Sequence, residues 1–359
     1  MLHDELKPQR ARLAIVMAGG VNPIYAEPFR SVGKMDVVGV VDPNRTAATA
    51  FIRDIGGPPV YDSLNLLCAD RVCDCVLITS PLGIRDALTA VQAGLHVLFI
   101  HQCIAEWVDL LTLQREAMAH GLYVLTAGSL RNHSGFQSLA DRIANGDMGV
   151  VGQVRCNISC APPTSERRSE SGWRAAFTSA ASNSIDMCRW WMGGVEAVSA
   201  DTGTLAGKPV GDYLANMILT HERGVSVHHI TGARNGLLSE RYRCETSLGI
   251  LEIEMKGMIG DNDELSHKCS MRWKGRAEVL TALNGLTDSL AAPLPLGKVL
   301  ARFAGCILGR ETPPVEADNL AKVAEVIYAA TMAAIDGTKI ALPLVVRPRE
   351  VNAISHRPR

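Results

Sequence analysis

The residues best suited to chemistry in this chain begin with a glycine turn. Leu13-Ala14-Ile15-Val16 is an apolar run that breaks, after Met17, into Ala18-Gly19-Gly20-Val21-Asn22 and then meets a helical pattern. A strand that turns on glycines into a helix offers backbone amides to an anion, with the helix dipole behind them. In the GxGxxG form of this turn, the glycines permit the tight bend, the approach of a pyrophosphate and the close packing of helix on strand. Gly19 and Gly20 keep the approach, whereas Met17 and Asn22 stand where the fingerprint has glycine. Asn22 is the non-glycine best able to take a left-handed backbone, and Pro23 suits a first helical turn. Met17 brings a side chain that must find room, and one aimed at the turn would crowd a pyrophosphate.

Asp42 follows Gly19 by 23 residues and ends the second apolar run, Val37 to Val41. An acid there accepts from the ribose hydroxyls of an adenosine and repels a 2'-phosphate, so NAD is favoured over NADP. Arg45 can soften that preference. The alternative for Asp42 is a cap on the helix that follows. His101 stands at the end of the run His96 to Ile100, where an imidazole titrating near neutrality can move a proton, or serve as a hydrogen-bonded structural group.

Other clusters point less far. His228-His229 lies in a strand pattern, so the two rings face opposite ways and cannot make one metal site by themselves. The ten cysteines are scattered through apolar segments without paired CxxC spacing. They read as reduced core residues, and Cys156 with Cys160, which has no histidine pair nearby, does not read as zinc ligation; no metal is expected. Arg167-Arg168 lies in a polar loop that is either solvated or a lid over an anionic ligand.

The elements that must position these groups form two textures. Through residue 126, apolar strands alternate with helical stretches around 24–32, 46–55, 63–67, 84–93 and 108–120. Continuous apolar strands with intervening helices argue a parallel sheet covered on both faces, with its ligand at the carboxyl ends. From about Val150 the runs 151–159, 197–202, 214–220, 225–231, 241–247 and 251–256 are β-rich and joined by turns such as Glu222-Arg223-Gly224, as in an antiparallel meander. A helix over 186–192 interrupts it, with Trp190 and Trp191 on its apolar face, and another runs from Asn319 to Ile335. Residues 283–315, with Pro293, Pro295, Pro313 and Pro314, read as a looped excursion.

The 359 residues suit two domains. We expect a nucleotide-binding domain over 1–128, an α+β substrate and oligomerisation domain over 129–340, and a C-terminal segment over 341–359. A net charge of -1 gives no footprint for nucleic acid or anionic membrane, which favours a small neutral or polar ligand. No apolar stretch reaches the ~20 residues of a membrane span and the start lacks a signal layout, so a cytoplasmic location is expected.

In order and spacing, the runs Val37 to Arg45, Tyr61-Asp62, Val72 to Pro81 and Ala90 to Leu98 resemble the Gfo/Idh/MocA family, relatives of glucose-fructose oxidoreductase and inositol dehydrogenase. So do Gly146 to Gly152, Trp173-Arg174, Asp186 to Trp190, Asp318-Asn319 through Gly337, and Ile340 with Leu342-Pro343. The resemblance implies a Rossmann α/β domain followed by an α+β domain with a large open, mainly antiparallel sheet, and assembly as homodimers or homotetramers through that sheet. It implies a nicotinamide cofactor held at residues 18–22, Asp42, Arg45, Thr79, Ser80 and Pro81. It implies oxidation or reduction of a small polyol, sugar or related compound.

Departures fall on the catalytic groups. Where the family has Glu-Lys-Pro after the fifth strand, with the lysine at the substrate, this chain has Ile100-His101-Gln102. The family's pocket Asp and His, four residues apart, align with Ser179 and Asn183. His101 is the candidate acid/base, and Asn183, which can orient an oxygen but cannot shuttle a proton, is assigned to the site beside it. Arg131, Trp173, Arg174 and Ser179 are the substrate-binding candidates, Arg131 having an interdomain ion pair as its alternative. The leading expectation is a divergent oxidoreductase. A non-redox lyase, isomerase or cyclase on the same scaffold, and a catalytically silent assembly partner, stand as alternatives.

Overall fold

A computed structural model describes residues 10–17, 26–31, 33–80, 83–100, 103, 105–160, 181–204, 213–232, 237–259, 265–276, 296–313 and 318–345. The chain divides into two compact units, residues 1–132 with 294–321, and residues 133–293 with 322–359.

In the first unit, β1 (Ala11–Val16), β2 (Met35–Val41), β3 (Val60–Tyr61), β4 (Cys75–Ile78), β5 (His96–Phe99) and β6 (Val124–Thr126) form one sheet in the order β3-β2-β1-β4-β5-β6. Every pairing is parallel. The helices between them are α1 (Ala26–Ser31), α2 (Arg45–Asp54), α3 (Leu64–Asp70), α4 (Ile84–Gln92) and α5 (Trp107–Ala119). All four residues of β4 are buried, as a strand covered on both faces requires. The parallel sheet was anticipated from the alternating runs; its order is the doubly wound one.

The stretch expected to loop around residue 300 instead forms a helix. Leu296, Val299, Leu300, Phe303 and Ala304 repeat at the spacing of one helical face, and these residues pack into the core of the first unit with Leu13, Ile15, Phe29 and Val40. We number this helix α8 (Leu296–Ile307). The flanking prolines bound it rather than break it.

The second unit is built on an eight-stranded sheet, ordered β13-β12-β11-β7-β10-β9-β8-β14. Its strands are β7 (Val151–Cys160), β8 (Val195–Thr204), β9 (Tyr213–His221), β10 (Gly224–Gly232), β11 (Leu237–Thr246), β12 (Gly249–Ile259), β13 (Leu265–Gly275) and β14 (Ile340–Ala341). Pairing is antiparallel except between β7 and β10, which run parallel at the centre. The sheet is therefore two meanders joined along β7. Helices α6 (Ser134–Ala144), α7 (Ser182–Met192) and α9 (Asn319–Asp336) complete the described elements. α7 packs on β7 and β10, with Ile185, Met187, Cys188, Trp191 and Met192 buried.

One face of this sheet is a ladder of opposite charges: Arg241 with Glu254 at 2.5 Å, Arg243 with Glu252 at 2.6 Å and Lys274 with Glu252 at 3.6 Å. Cross-strand pairs of this kind reinforce register without burying apolar surface. Among the described residues, no helix is long and apolar enough to cross a membrane.

Candidate functional site

The parallel ladder of the first unit continues one residue past its strands. Met17 N donates to Val41 O (2.8 Å), Thr79 N to Val16 O (3.1 Å), Asp42 N to Tyr61 O (3.3 Å), Ile100 N to Ile78 O (3.0 Å) and Ala127 N to Phe99 O (2.7 Å). Those bonds set Met17, Asp42, Thr79, Ile100 and Ala127 along the carboxyl rim of the sheet. Neighbouring strands diverge in chain order on either side of β1, and it is outside this switch point that doubly wound sheets bind ligand.

Asp42 is fully buried at the end of β2, and its Oδ1 accepts from Asn44 N at 2.8 Å. That bond is a local turn leading into α2, which begins at Arg45. The carboxylate is thereby held in one orientation on the rim, so its local bond and a role toward ribose are compatible. The Arg45 guanidinium lies against Asp62, Nε to Oδ1 at 2.7 Å, and this bond lowers the Asp62 pKa. Thr79 Oγ1 donates to Val16 O at 3.3 Å, tying the start of the Thr79-Ser80 run to β1. Gly83, just before α4, leaves no room for a side chain: a Cβ there would collide with Ile78 Cγ2.

Met17 does not crowd the rim. Leu13, Ile15 and Met17 alternate along the chain onto one face of the sheet, and Met17 is 4% exposed within the core that α8 covers. Its side chain fills the interior because β1 keeps its extended alternation for one residue beyond its end.

Arg131 lies in a short turn, Leu130–Asn132, pinned to the end of β6. Asn132 Nδ2 donates to Thr126 O (2.8 Å) and Ala127 O (3.1 Å), while Arg131 N donates to Ser129 Oγ (3.3 Å). Arg131 itself is buried. The rim of the first unit thus gathers Asp42, Thr79, Ser80 and the Arg131 turn. Residues 18–22, Pro81 and His101 lie outside the described residues, as do Trp173, Arg174 and Ser179.

In the second unit, Asn183 is half-buried in the first turn of α7, between buried Ser182 and Ser184. His228 and His229 face opposite sides of β10, as strand alternation dictates. His229 is exposed and its Nδ1 meets Asn216 Oδ1 at 2.6 Å, whereas His228 is fully buried under α7. Trp191 is core, edge-on to Tyr242 with ring centroids 6.3 Å apart.

His228 belongs to a buried polar chain that sequence reading did not find. From one end to the other, Ser184 Oγ donates to Ala181 O (3.0 Å) and meets His228 Nδ1 (2.9 Å). His228 Nε2 meets Ser226 Oγ (2.8 Å), Ser226 Oγ meets His221 Nε2 (2.9 Å), and His221 Nδ1 meets Gly193 O (3.1 Å). Beside it, Cys156 Sγ and Cys188 Sγ lie 3.7 Å apart. The sequence signals available were helical spacing, since Ser184 and Cys188 are one turn apart on α7, and strand alternation, which puts Ser226 and His228 on one face of β10.

A cleft of about 770 Å³ opens at the opposite, amino end of the parallel sheet, lined by Arg12, Asp74 and His96 among others. It lies away from the rim to which the helix N-termini point, so the rim is the better candidate for a phosphate-bearing ligand.

Comparison with known proteins agrees with this geometry. Residues 11–124 match a family profile described as an oxidoreductase family with an NAD-binding Rossmann fold, and residues 136–246 match the GFO/IDH/MocA C-terminal domain. No curated protein matches the chain. Among solved structures, the WlbA dehydrogenase from Bordetella pertussis, in complex with NADH and UDP-GlcNAcA, superposes with a TM-score of 0.70 at 21% identity, over 94% of this chain and 100% of that one. Levoglucosan dehydrogenase, in complex with NADH and L-sorbose, gives 0.73 at 14% identity over 94% and 100%. GenD2 from gentamicin A biosynthesis, in complex with NAD, gives 0.72 at 18% identity over 94% and 98%. At these identities the likeness is one of fold.

Proposed function

Because this chain belongs to the GFO/IDH/MocA family of oxidoreductases, we propose that it is an NAD-dependent oxidoreductase acting on a small polyol, sugar or related hydroxy or carbonyl compound. The observation that carries this reading is Asp42, buried and oriented at the carboxyl end of β2 beside the switch point. A carboxylate there fits the adenosine ribose of NAD and disfavours the 2'-phosphate of NADP.

When bound, the nicotinamide ring supplies the hydride acceptor or donor. The chain's own residues do the rest. The amides of residues 18–22 hold the pyrophosphate, and Thr79, Ser80 and Pro81 border the cofactor. His101 takes the proton from a substrate hydroxyl oxygen, or returns it to a carbonyl oxygen, in place of the lysine the family carries. Asn183 orients that oxygen, and Arg131, Trp173, Arg174 and Ser179 bind the remainder of the substrate. Copies of the chain pair as homodimers or homotetramers through the eight-stranded sheet.

Titration of the purified protein with NADH and with NADPH tests this reading, followed by fluorescence transfer and thermal unfolding. At 100 times Kd, a ligand specific for the native state adds about 2.7 kcal/mol of stability. Micromolar NADH binding with weaker NADPH binding is expected. Asp42→Asn, which keeps an oxygen for the Asn44 amide, should lower NADH affinity about tenfold, the ~1.4 kcal/mol of a charged hydrogen bond. Silence toward both nucleotides to millimolar concentration would overturn the proposal and turn attention to non-redox chemistry or assembly.

A further inference from the structure

The buried chain under α7 has an arithmetic of its own, independent of the nucleotide rim. Its two ends, Ala181 O and Gly193 O, are carbonyls that only accept. Between them lie five contacts, served by two serine hydroxyls and two imidazoles. With neutral rings these groups hold four hydrogens. The tautomers follow from the ends inward. His221 Nδ1–H donates to Gly193 O, so its Nε2 accepts from Ser226. Ser226 Oγ then accepts from His228 Nε2–H, which leaves a lone pair on His228 Nδ1. Ser184 has one hydrogen for two neighbours, Ala181 O at 3.0 Å and His228 Nδ1 at 2.9 Å. Cys188 reaches the same ring by a side-chain hydrogen bond, so the His228 imidazole and the Cys188 sulfur share one buried space.

Two sulfurs stand beside it. Cys156 comes from β7, Cys188 from α7 and His228 from β10, and one ligating atom from each lies within 4.8 Å of the other two, all three residues being buried. Two thiolates on one tetrahedral zinc, at about 2.3 Å each, lie ~3.8 Å apart. The observed separation is 3.7 Å. Sulfur with imidazole is the donor set of a thiophilic ion, and not of magnesium or calcium. Burial selects among thiophilic ions by charge. Two thiolates and a neutral imidazole neutralise a divalent cation, whereas a monovalent one would leave a net negative charge in an apolar interior. Ser226 and His221 would then act as the outer hydrogen bonds that orient the ligating ring.

We propose that Cys156, Cys188 and His228 form a structural binding site for one divalent thiophilic ion, zinc in the first instance. The ion fastens α7 to the two parallel strands at the centre of the sheet. It is loaded as the chain folds, because all three ligands are inside.

The test uses the full chain, free of any histidine tag and produced in zinc-supplemented or cobalt-supplemented medium. After dialysis against a weak chelator, metal is counted per chain by mass spectrometry and the cobalt form is examined for a thiolate-to-cobalt charge-transfer band. Close to one ion per chain and a clear band are expected. Cys188→Ser and Cys156→Ser should lose both, while Cys244→Ala, a buried cysteine outside the trio, should keep both. Should the serine variants fail to fold, the wild-type cobalt spectrum decides alone. Metal in fewer than about one chain in ten with no charge-transfer band would overturn the proposal. A Cys156–Cys188 disulfide in non-reduced peptides would overturn it equally.

Discussion

Restoring the missing glycine of the nucleotide turn should damage this protein. Met17 stands where the fingerprint has its first glycine, and Met17→Gly is the change that a comparison of motifs alone would recommend. In the structure, however, the Met17 side chain lies with Leu13 and Ile15 in the core beneath α8. Truncating a buried methionine to alanine costs about 2–5 kcal/mol, and glycine in an extended segment adds roughly 0.5–1 kcal/mol of backbone entropy. A loss of about 2.5–6 kcal/mol, at ~2–4 °C per kcal/mol for a unit of this size, lowers the melting temperature by roughly 5–24 °C. NADH affinity of the folded fraction should not improve, because no side chain has been cleared from the rim. Met17→Leu, close in volume, should cost less than about 1.5 kcal/mol. Thermal and urea unfolding, each with and without NADH, provide the assay. A Met17→Gly variant melting within about 2 °C of wild type and binding NADH tenfold more tightly would refute the reasoning, since its side chain would then have faced the ligand.

Other perturbations follow from the same geometry. Phe303→Ala, in α8 and 1% exposed, should cost about 3–5 kcal/mol in urea unfolding; a value below ~1 kcal/mol would mean that the helix is dispensable to the first unit. Arg71 caps α3 in a left-handed conformation, φ 51 and ψ 36, so Arg71→Gly should stabilise by up to ~1 kcal/mol, read as a rise in melting temperature. His96 stacks on Tyr123 and accepts from its backbone N–H at 3.0 Å. Burial lowers the His96 pKa from 6.5. The native state thus favours the neutral ring, and its contribution is complete above the unfolded value and lost as pH falls below 6.5 toward the folded value. His96→Phe should flatten that part of the stability profile, measured as urea midpoints across a pH series.

The first unit was legible because its strands are uninterrupted apolar runs separated by helices, a pattern that parallel sheets require. α8 was not, because four prolines around it suggested loop while its apolar face repeats only at helical spacing. β13 escaped for another reason. It is an edge strand carrying Lys268, Arg272 and Lys274, and the polar edge that keeps a sheet from pairing further also hides the strand from a hydrophobic reading. In the second unit, the opposite facing of His228 and His229 could be read from alternation. The company His228 keeps could not: Cys156, Cys188 and Ser184 reach it from elements that are distant along the chain, and only the packing of α7 on the sheet brings them together. The position of Asp42 at the end of β2 was legible by its spacing from the glycine turn, whereas the direction of the Met17 side chain stayed open, because a motif registers which residue is present and not which face of the sheet it occupies.

The return of α8 to the first unit has a consequence for how this protein is made. On the ribosome, β1 to β6 emerge first, yet the helix that covers Leu13, Ile15 and Met17 follows Asn132 by about 175 residues. At ~5–20 residues per second, the nascent nucleotide-binding sheet waits roughly 9–35 s with that face covered only in part, by Phe29 of α1 and Phe51 of α2. The first unit to emerge therefore cannot be the first to finish. A fragment ending at Asn132 should aggregate or recruit chaperones, and a circular permutation that places α8 ahead of β1 should shorten that exposure.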